Sequence, residues 1–145
     1  MNVTIAKSAG FCFGVNRAVE LVEQAVREGR CVVTLGPIIH NRHAVAHFEQ
    51  MGVHVIESPE QAQPGDTVVI RSHGVSQRVY QALENRNVQI IDATCPFVKR
   101  IHNIVSKASE KGNLVVIIGT PTHPEVEGIA GWCHNCVIFE TAEKL

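Results

Sequence analysis

Short runs of β-branched and aliphatic residues alternate along the chain with stretches in which apolar residues recur every three or four positions. The runs Val3–Ala6, Cys31–Leu35, Val53–Ile56, Thr67–Ile70, Val88–Ile91, Leu114–Gly119 and Val137–Phe139 have the length and composition of strands. Between them, Val15, Ala18, Val19, Val22, Ala25 and Val26 repeat at helical spacing. So do Ala44, Val45, Phe48 and Met51, and later Phe97, Ile101, Ile104, Val105 and Ala108. Ser58-Pro59-Glu60-Gln61 carries a capping-box pattern with proline at the first helical position, which predicts a short helix. Strand and helix in alternation predict an α/β protein with mainly parallel sheets and helices on both faces.

The strand-to-helix junctions share a character. Ser8–Gly14, Gly36–Asn41, Arg71–Ser76, Asp92–Pro96 and Gly119–Glu125 are rich in Gly, Ser, His or Cys. In a parallel sheet such loops gather along one edge, where ligands bind. A domain boundary is expected near Thr94-Cys95-Pro96, where a strand ends and a helix begins. Glu140-Thr141-Ala142-Glu143-Lys144-Leu145 reads as a strand end, a threonine cap and one helical turn, too short to hold itself, so the chain is expected to be part of a longer protein.

Composition narrows the function classes. Of 145 residues, 45% are hydrophobic and 19% charged, enough apolar surface for a packed core. With 13 Lys+Arg against 14 Asp+Glu, no basic excess points to nucleic acid. The longest apolar runs, Leu114–Gly119 and Cys31–Leu35, are too short to span a bilayer, and the first residues lack the signal-peptide pattern. Five cysteines, an odd number, do not suit a disulfide framework and point to a reducing, cytoplasmic compartment.

Two cysteines stand at strand-to-helix junctions. Cys12 precedes the first helix, where the positive end of the helix dipole favours a thiolate and suits metal ligation. Cys95 precedes Pro96 in the same kind of loop, and Cys-Pro also closes one ferredoxin-type ligand run. The bland alternative for both is a small buried hydrophobe. Cys31, at the start of a strand, is expected in the core. Cys133-His134-Asn135-Cys136 has zinc or redox spacing but no second close pair, so it reads as a loop with incidental cysteines.

Of eight histidines, His43, His47, His54, His102 and His134 read as ordinary surface or partly buried residues. His40, His73 and His123 occupy equivalent places between a strand and a helix start. Together with helix N-terminal amides they can bind an anion such as a phosphate. Glu125, two residues after His123, fits either compensation of a helix dipole or proton delivery to a bound substrate.

Five motifs in order then carry a family resemblance. Ala9-Gly10-Phe11-Cys12-Phe13-Gly14-Val15, Ile39-His40-Asn41-Arg42, Ser72-His73-Gly74-Val75-Ser76, Asp92-Ala93-Thr94-Cys95-Pro96 and His123-Pro124-Glu125-Val126-Glu127-Gly128 resemble those of the 4-hydroxy-3-methylbut-2-enyl diphosphate reductases. Ser-Ala-Gly-Phe-Cys-Phe-Gly and Gly-Trp-Cys-His-Asn resemble the clostridial-type branch. The resemblance implies three α/β domains in pseudo-threefold arrangement around a 4Fe-4S cluster with three cysteine ligands. It implies reduction of an allylic alcohol diphosphate to isopentenyl and dimethylallyl diphosphate, the last step of non-mevalonate isoprenoid biosynthesis. Cys12 and Cys95 match two cluster ligands, His40, His73 and His123 match residues that hold the diphosphate, and Glu125 matches the proton donor. Ferredoxin or flavodoxin is the implied electron donor, with no nucleic-acid or membrane partner.

On this basis residues 1–94 form a first domain and 95–145 an incomplete second, the third domain and third cysteine ligand lying beyond Leu145. Two other readings remain: an anion-binding α/β module without redox chemistry, and a zinc hydrolase using His123, Glu125 and the Cys133/Cys136 pair. The 145 residues alone are expected to lack reductase turnover, and wild-type-like turnover of the purified chain with a chemical reductant would overturn that expectation.

Overall fold

The computed structural model describes residues 2–144; Met1, Leu145 and the side chain of Ala142 lie outside the described residues. The chain order is α1 (Phe13–Arg27), β1 (Val32–Leu35), α2 (Arg42–Gln50), β2 (His54–Ile56), a 3-10 turn (Pro59–Gln61), β3 (Thr67–Ile70), α3 (Gln77–Glu84), β4 (Gln89–Asp92), α4 (Pro96–Glu110), β5 (Val115–Ile118), α5 (Pro124–Ala130), β6 (Cys136–Phe139) and a second 3-10 turn (Ala142–Lys144). One sheet has the order β2-β1-β3-β4 and the other pairs β5 with β6. Every pairing is parallel.

The four-stranded sheet is covered on both faces, as parallel sheets require. Val32 and Val69 face α1 and α2, meeting Ala18, Val22, Ala25 and Phe48. Val33, Leu35, Val68 and Ile70 face the other way onto Ala62, Val75 and Leu83. All residues of β1 and β3 are buried, which is why these central strands are apolar apart from Thr34 and Thr67, while the edge strands β2 and β4 carry exposed His54 and Gln89. The expected short helix at Ser58–Gln61 is the first 3-10 turn, with both halves of the capping box formed. On the second sheet the outer face of β5 is bare: Leu114, Val116 and Ile118 are exposed. No described helix is long and apolar enough to cross a membrane.

Two expectations are corrected. Val3–Ala6 is not a strand; the segment pairs with no described strand, and Val3 and Ile5 are 83% and 82% exposed. Its composition suits a strand, but a strand exists only where a sheet edge accepts its backbone bonds, and neither sheet takes it here. Cys31 is exposed rather than buried. It lies one residue before β1, at the sheet margin, where a hydrogen bond with Asp66 and partial desolvation raise its thiol pKa.

Leu83 anchors α3 to the second face of the sheet at 0% exposure. Leu83→Ala is expected to cost about 2–5 kcal/mol through lost transfer energy and a residual cavity. A urea unfolding midpoint unchanged in that variant would contradict the packing described.

Candidate functional site

Parallel register brings the chemistry together. Leu35, Ile70 and Asp92 end three neighbouring strands side by side, and the loops leaving them carry His40, His73 and Cys95. Each loop is then fixed by the helix it enters. The Asn41 side chain accepts from the backbone N–H of His43 (3.0 Å) and Ala44 (3.1 Å) and caps α2. Ser76 Oγ accepts from Val79 N–H at 3.3 Å and caps α3. His123 caps α5, its Nδ1 accepting from Glu125 N–H at 3.2 Å. A neutral imidazole that accepts at Nδ1 carries its proton on Nε2, so His123 keeps a donor for a ligand.

The three histidines selected from the sequence meet. The His40 and His73 rings are 4.9 Å apart between centroids, and the His73 and His123 rings 6.0 Å apart, nearly perpendicular. His73 is the central ring, half-buried, with Nδ1 shut off from solvent and unpartnered among the described residues. Burial, reinforced by His40, Arg71 and His123, holds the His73 pKa below the ordinary histidine value. An anion placed among these rings would reverse that balance, because it stabilises the protonated form. Beside them a cavity of about 280 Å3 is lined by Phe11, Val15, Ile39, His40, Asn41, Ser72 and His73. Glu125 lies half-buried in the first turn of α5, tied to His123 by the cap.

The two junction cysteines also converge. Cys12 and Cys95 are the N-cap residues of α1 and α4, and neither thiol makes a cap hydrogen bond. A Cβ on Gly14, two residues after Cys12, would stand 2.7 Å from Cys95 Sγ, so Cys95 overlies the first turn of α1. Cys95 N–H donates to Ser72 O at 2.9 Å, which couples the thiol to the histidine loop. All five cysteines are free. Two thiols at helix N-termini suit two ligands of a metal centre. Among the described residues no group of three or more His, Cys, Asp or Glu is arranged to hold a metal ion.

Several supporting residues escaped the sequence reading. Arg17 reaches from α1 to Thr94 O and Asp92 O, each at 3.3 Å, and pins the Cys95 loop. Burial alone would raise the Asp92 carboxyl, but hydrogen bonds from Lys99 and Thr94 outweigh it and hold its pKa low. Arg71 packs its guanidinium against Gly36, where it would meet any β-carbon, and Gly36 has φ +70°, a conformation L side chains rarely adopt. His102, expected as an ordinary surface or partly buried residue, is only 5% exposed and stacks on Trp132. Arg17 and Arg71 had no local signal, because what they touch is distant in sequence. Cys133 and Cys136 lie outside the cluster, in the turn after α5 and at the start of β6; burial, with Cys136 adjacent, pushes the Cys133 thiol up to about 11.

The parallel α/β frame that carries these residues has counterparts among known proteins. A solved (E)-4-hydroxy-3-methyl-but-2-enyl diphosphate reductase, the terminal enzyme of the non-mevalonate pathway, superposes with a TM-score of 0.86 at 42% identity, over 98% of this chain and 52% of its own. An E-1-hydroxy-2-methyl-but-2-enyl-4-diphosphate reductase from Plasmodium falciparum gives 0.90 at 28% identity, over 94% and 44%. Curated relatives named 4-hydroxy-3-methylbut-2-enyl diphosphate reductase include those of Clostridioides difficile (42% identical, 100% of this chain and 53% of the relative) and Caldanaerobacter subterraneus (47%, 93% and 48%). Residues 3–145 match the LytB protein family, and the chain belongs to it. The chain spans about half the length of the curated relatives it matches.

The burial of His73 and His102 has a pH consequence. Burial is the leading cause that depresses both, with Asp92 opposing and Lys99 adding to it at His102. Between the depressed folded pKa and the ordinary value of about 6.5, the unfolded chain binds more protons than the folded one. Stability from these groups is therefore complete above that value and lost as pH falls through the folded pKa. The urea midpoint is expected to drop between pH 7.5 and 5.5, before Asp92 titrates; a flat profile would refute the burial of these rings.

Proposed function

We propose that this chain supplies the N-terminal half of an iron–sulfur reductase that converts 4-hydroxy-3-methylbut-2-enyl diphosphate to isopentenyl and dimethylallyl diphosphate. The observation that carries the reading is the convergence of Cys12 and Cys95 beside the His40–His73–His123 cluster. Residues 1–94 are read as a first domain and 95–145 as an incomplete second, with a third domain to come from the rest of the protein. Cytoplasmic location and a ferredoxin or flavodoxin donor belong to the same reading.

The thiol pair fits two ligands of a 4Fe-4S cluster: Gly14 clears the space over which Cys95 stands, and both thiols sit at helix N-termini free of competing cap bonds. The third cysteine ligand would come from outside this chain. When bound, the cluster would relay, one at a time, the two electrons from the ferredoxin or flavodoxin donor that reductive loss of a hydroxyl group consumes, with two protons completing water and the new C–H bond. The chain's own residues bind, orient and protonate. His40, His73 and His123 hold the diphosphate, His123 through the Nε2 donor that its cap role leaves free. Fixing that end orients the reacting carbon. Glu125, held to the same cap, delivers a proton to the departing oxygen.

In the full-length protein, Glu125→Gln is expected to abolish turnover while iron content and inorganic pyrophosphate binding persist; near-normal turnover would remove Glu125 from the chemistry. Cys12→Ser should lose the cluster, and unchanged iron and sulfide would reject ligation. Because anion binding charges His73, whose pKa burial holds low, pyrophosphate binding at pH 7 should take up protons. Calorimetric enthalpies that do not vary with the buffer's ionisation enthalpy would overturn that step.

A further inference from the structure

The loop that carries His73 is gripped from the far side by residues outside the histidine cluster. Trp132 Nε1–H donates to Val75 O at 2.9 Å, two residues beyond His73. The indole stacks on His102, with centroids 5.4 Å apart and planes 19° from parallel. His102 in turn abuts Gly74, where a Cβ would stand 2.7 Å from His102 Cε1 and 2.9 Å from Thr94 Cγ2. Gly74 has φ +73°, a conformation that L side chains rarely adopt, so the loop is held tightly at that point. Gly131, just before Trp132, packs directly on Ser76, the cap of α3. His73 is therefore followed by three residues whose backbone or side chain is fixed by α4 and the turn after α5.

Packing alone does not explain the arrangement. Val75, His102 and Trp132 border a cavity of about 340 Å3, together with Tyr80, Asp92, Thr94, Lys99 and Asn103. With open space on that side, the loop can relax if its tether is released. His102 Nε2 is buried and unpartnered among the described residues, so the ring stack is kept despite an unsatisfied polar atom. A group of this kind persists where the surrounding contact is worth more than the penalty.

We propose that Trp132 and His102 are positioning residues for the anion site, clamping the 71–76 loop so that His73 stays between His40 and His123. This rests on the reading of the three histidines as the diphosphate site, and it adds a role that neither residue has in the binding or protonation steps above. The effect passes through Val75 O and Gly74, with no contact between Trp132 and the ligand.

The test uses the full-length protein, inorganic pyrophosphate as probe, and variants whose folding is checked by thermal melting. Trp132→Phe keeps an aromatic ring on His102 and removes the N–H donor. It is expected to weaken pyrophosphate binding roughly five- to tenfold, the worth of about one hydrogen bond. His102→Ala loosens the stack from the other side and should weaken binding in the same direction, while His102→Phe restores it. A merely structural role would lower the melting temperature of these variants and leave the dissociation constant of the folded protein unchanged; that result would overturn the proposal. If Trp132→Phe fails to fold, the His102→Ala and His102→Phe pair decides by the same criterion. If the unmutated full-length protein binds no pyrophosphate, the diphosphate reading of the site fails. The clamp is then judged by ring-to-ring nuclear Overhauser contacts between His73 and His123, whose loss in the His102→Ala variant supports it and whose retention overturns it.

Discussion

Backbone approach without an intervening side chain is the constraint on which the site depends. At Gly14 the first turn of α1 comes under Cys95; at Gly74 the His73 loop comes under His102 and Thr94; at Gly131 the turn after α5 comes onto Ser76. A β-carbon at any of these would require a shift in the neighbour, and at Gly74 in the backbone conformation as well. The three approaches join elements far apart in sequence. They bring a cysteine from the start of the chain to one from its middle, and a histidine from the first sheet to one that caps α5. Ordinary side chains there would leave each loop intact and separate them.

Around that frame the electrostatics are deliberately incomplete. His73 is kept toward neutrality by burial and by cationic neighbours, with one ring nitrogen unpartnered. Arg71 keeps its Nε buried and without a hydrogen bond among the described residues, and burial lowers its pKa against the pull of Glu127 and Glu57. Unsatisfied polar atoms concentrated in one region cost the fold free energy, and under the proposed reading an anion would offset that cost. By contrast Asp92 is fully engaged with Lys99 and Thr94, which suits a residue that holds a loop rather than one that reacts.

The bare apolar surfaces follow a different logic. The outer face of β5 and the exposed Phe97, Ile101 and Ile104 of α4 surround a sheet of only two strands. A two-stranded sheet with one open face is marginal by itself. The same reasoning covers Val3 and Ile5, whose strand-like composition finds no edge to join.

Much of this was legible in the sequence. Periodicity located three of the five helices, and apolar runs six of the seven expected strands, to within a residue or two, because apolar patterning reports burial directly. Cys12, Cys95 and His123 were legible as residues just before a helix, and they are the N-caps of α1, α4 and α5, since helix-start patterns depend on residues a few positions apart. Equivalent placement after parallel strands was enough to select His40, His73 and His123 as a group. What the sequence could not decide were relations without local spacing. Cys31 looked like core because its neighbours are, yet the ladder begins one residue later and leaves it outside. Val3–Ala6 looked like a strand, but pairing is a property of a partner edge. His102 looked ordinary, and only the approach of Gly74 on one side and Trp132 on the other buries it. Local pattern determined which residues are apolar, capped or reactive; the tertiary structure decided which of them meet, because that depends on strand register and on where a missing side chain lets two backbones touch.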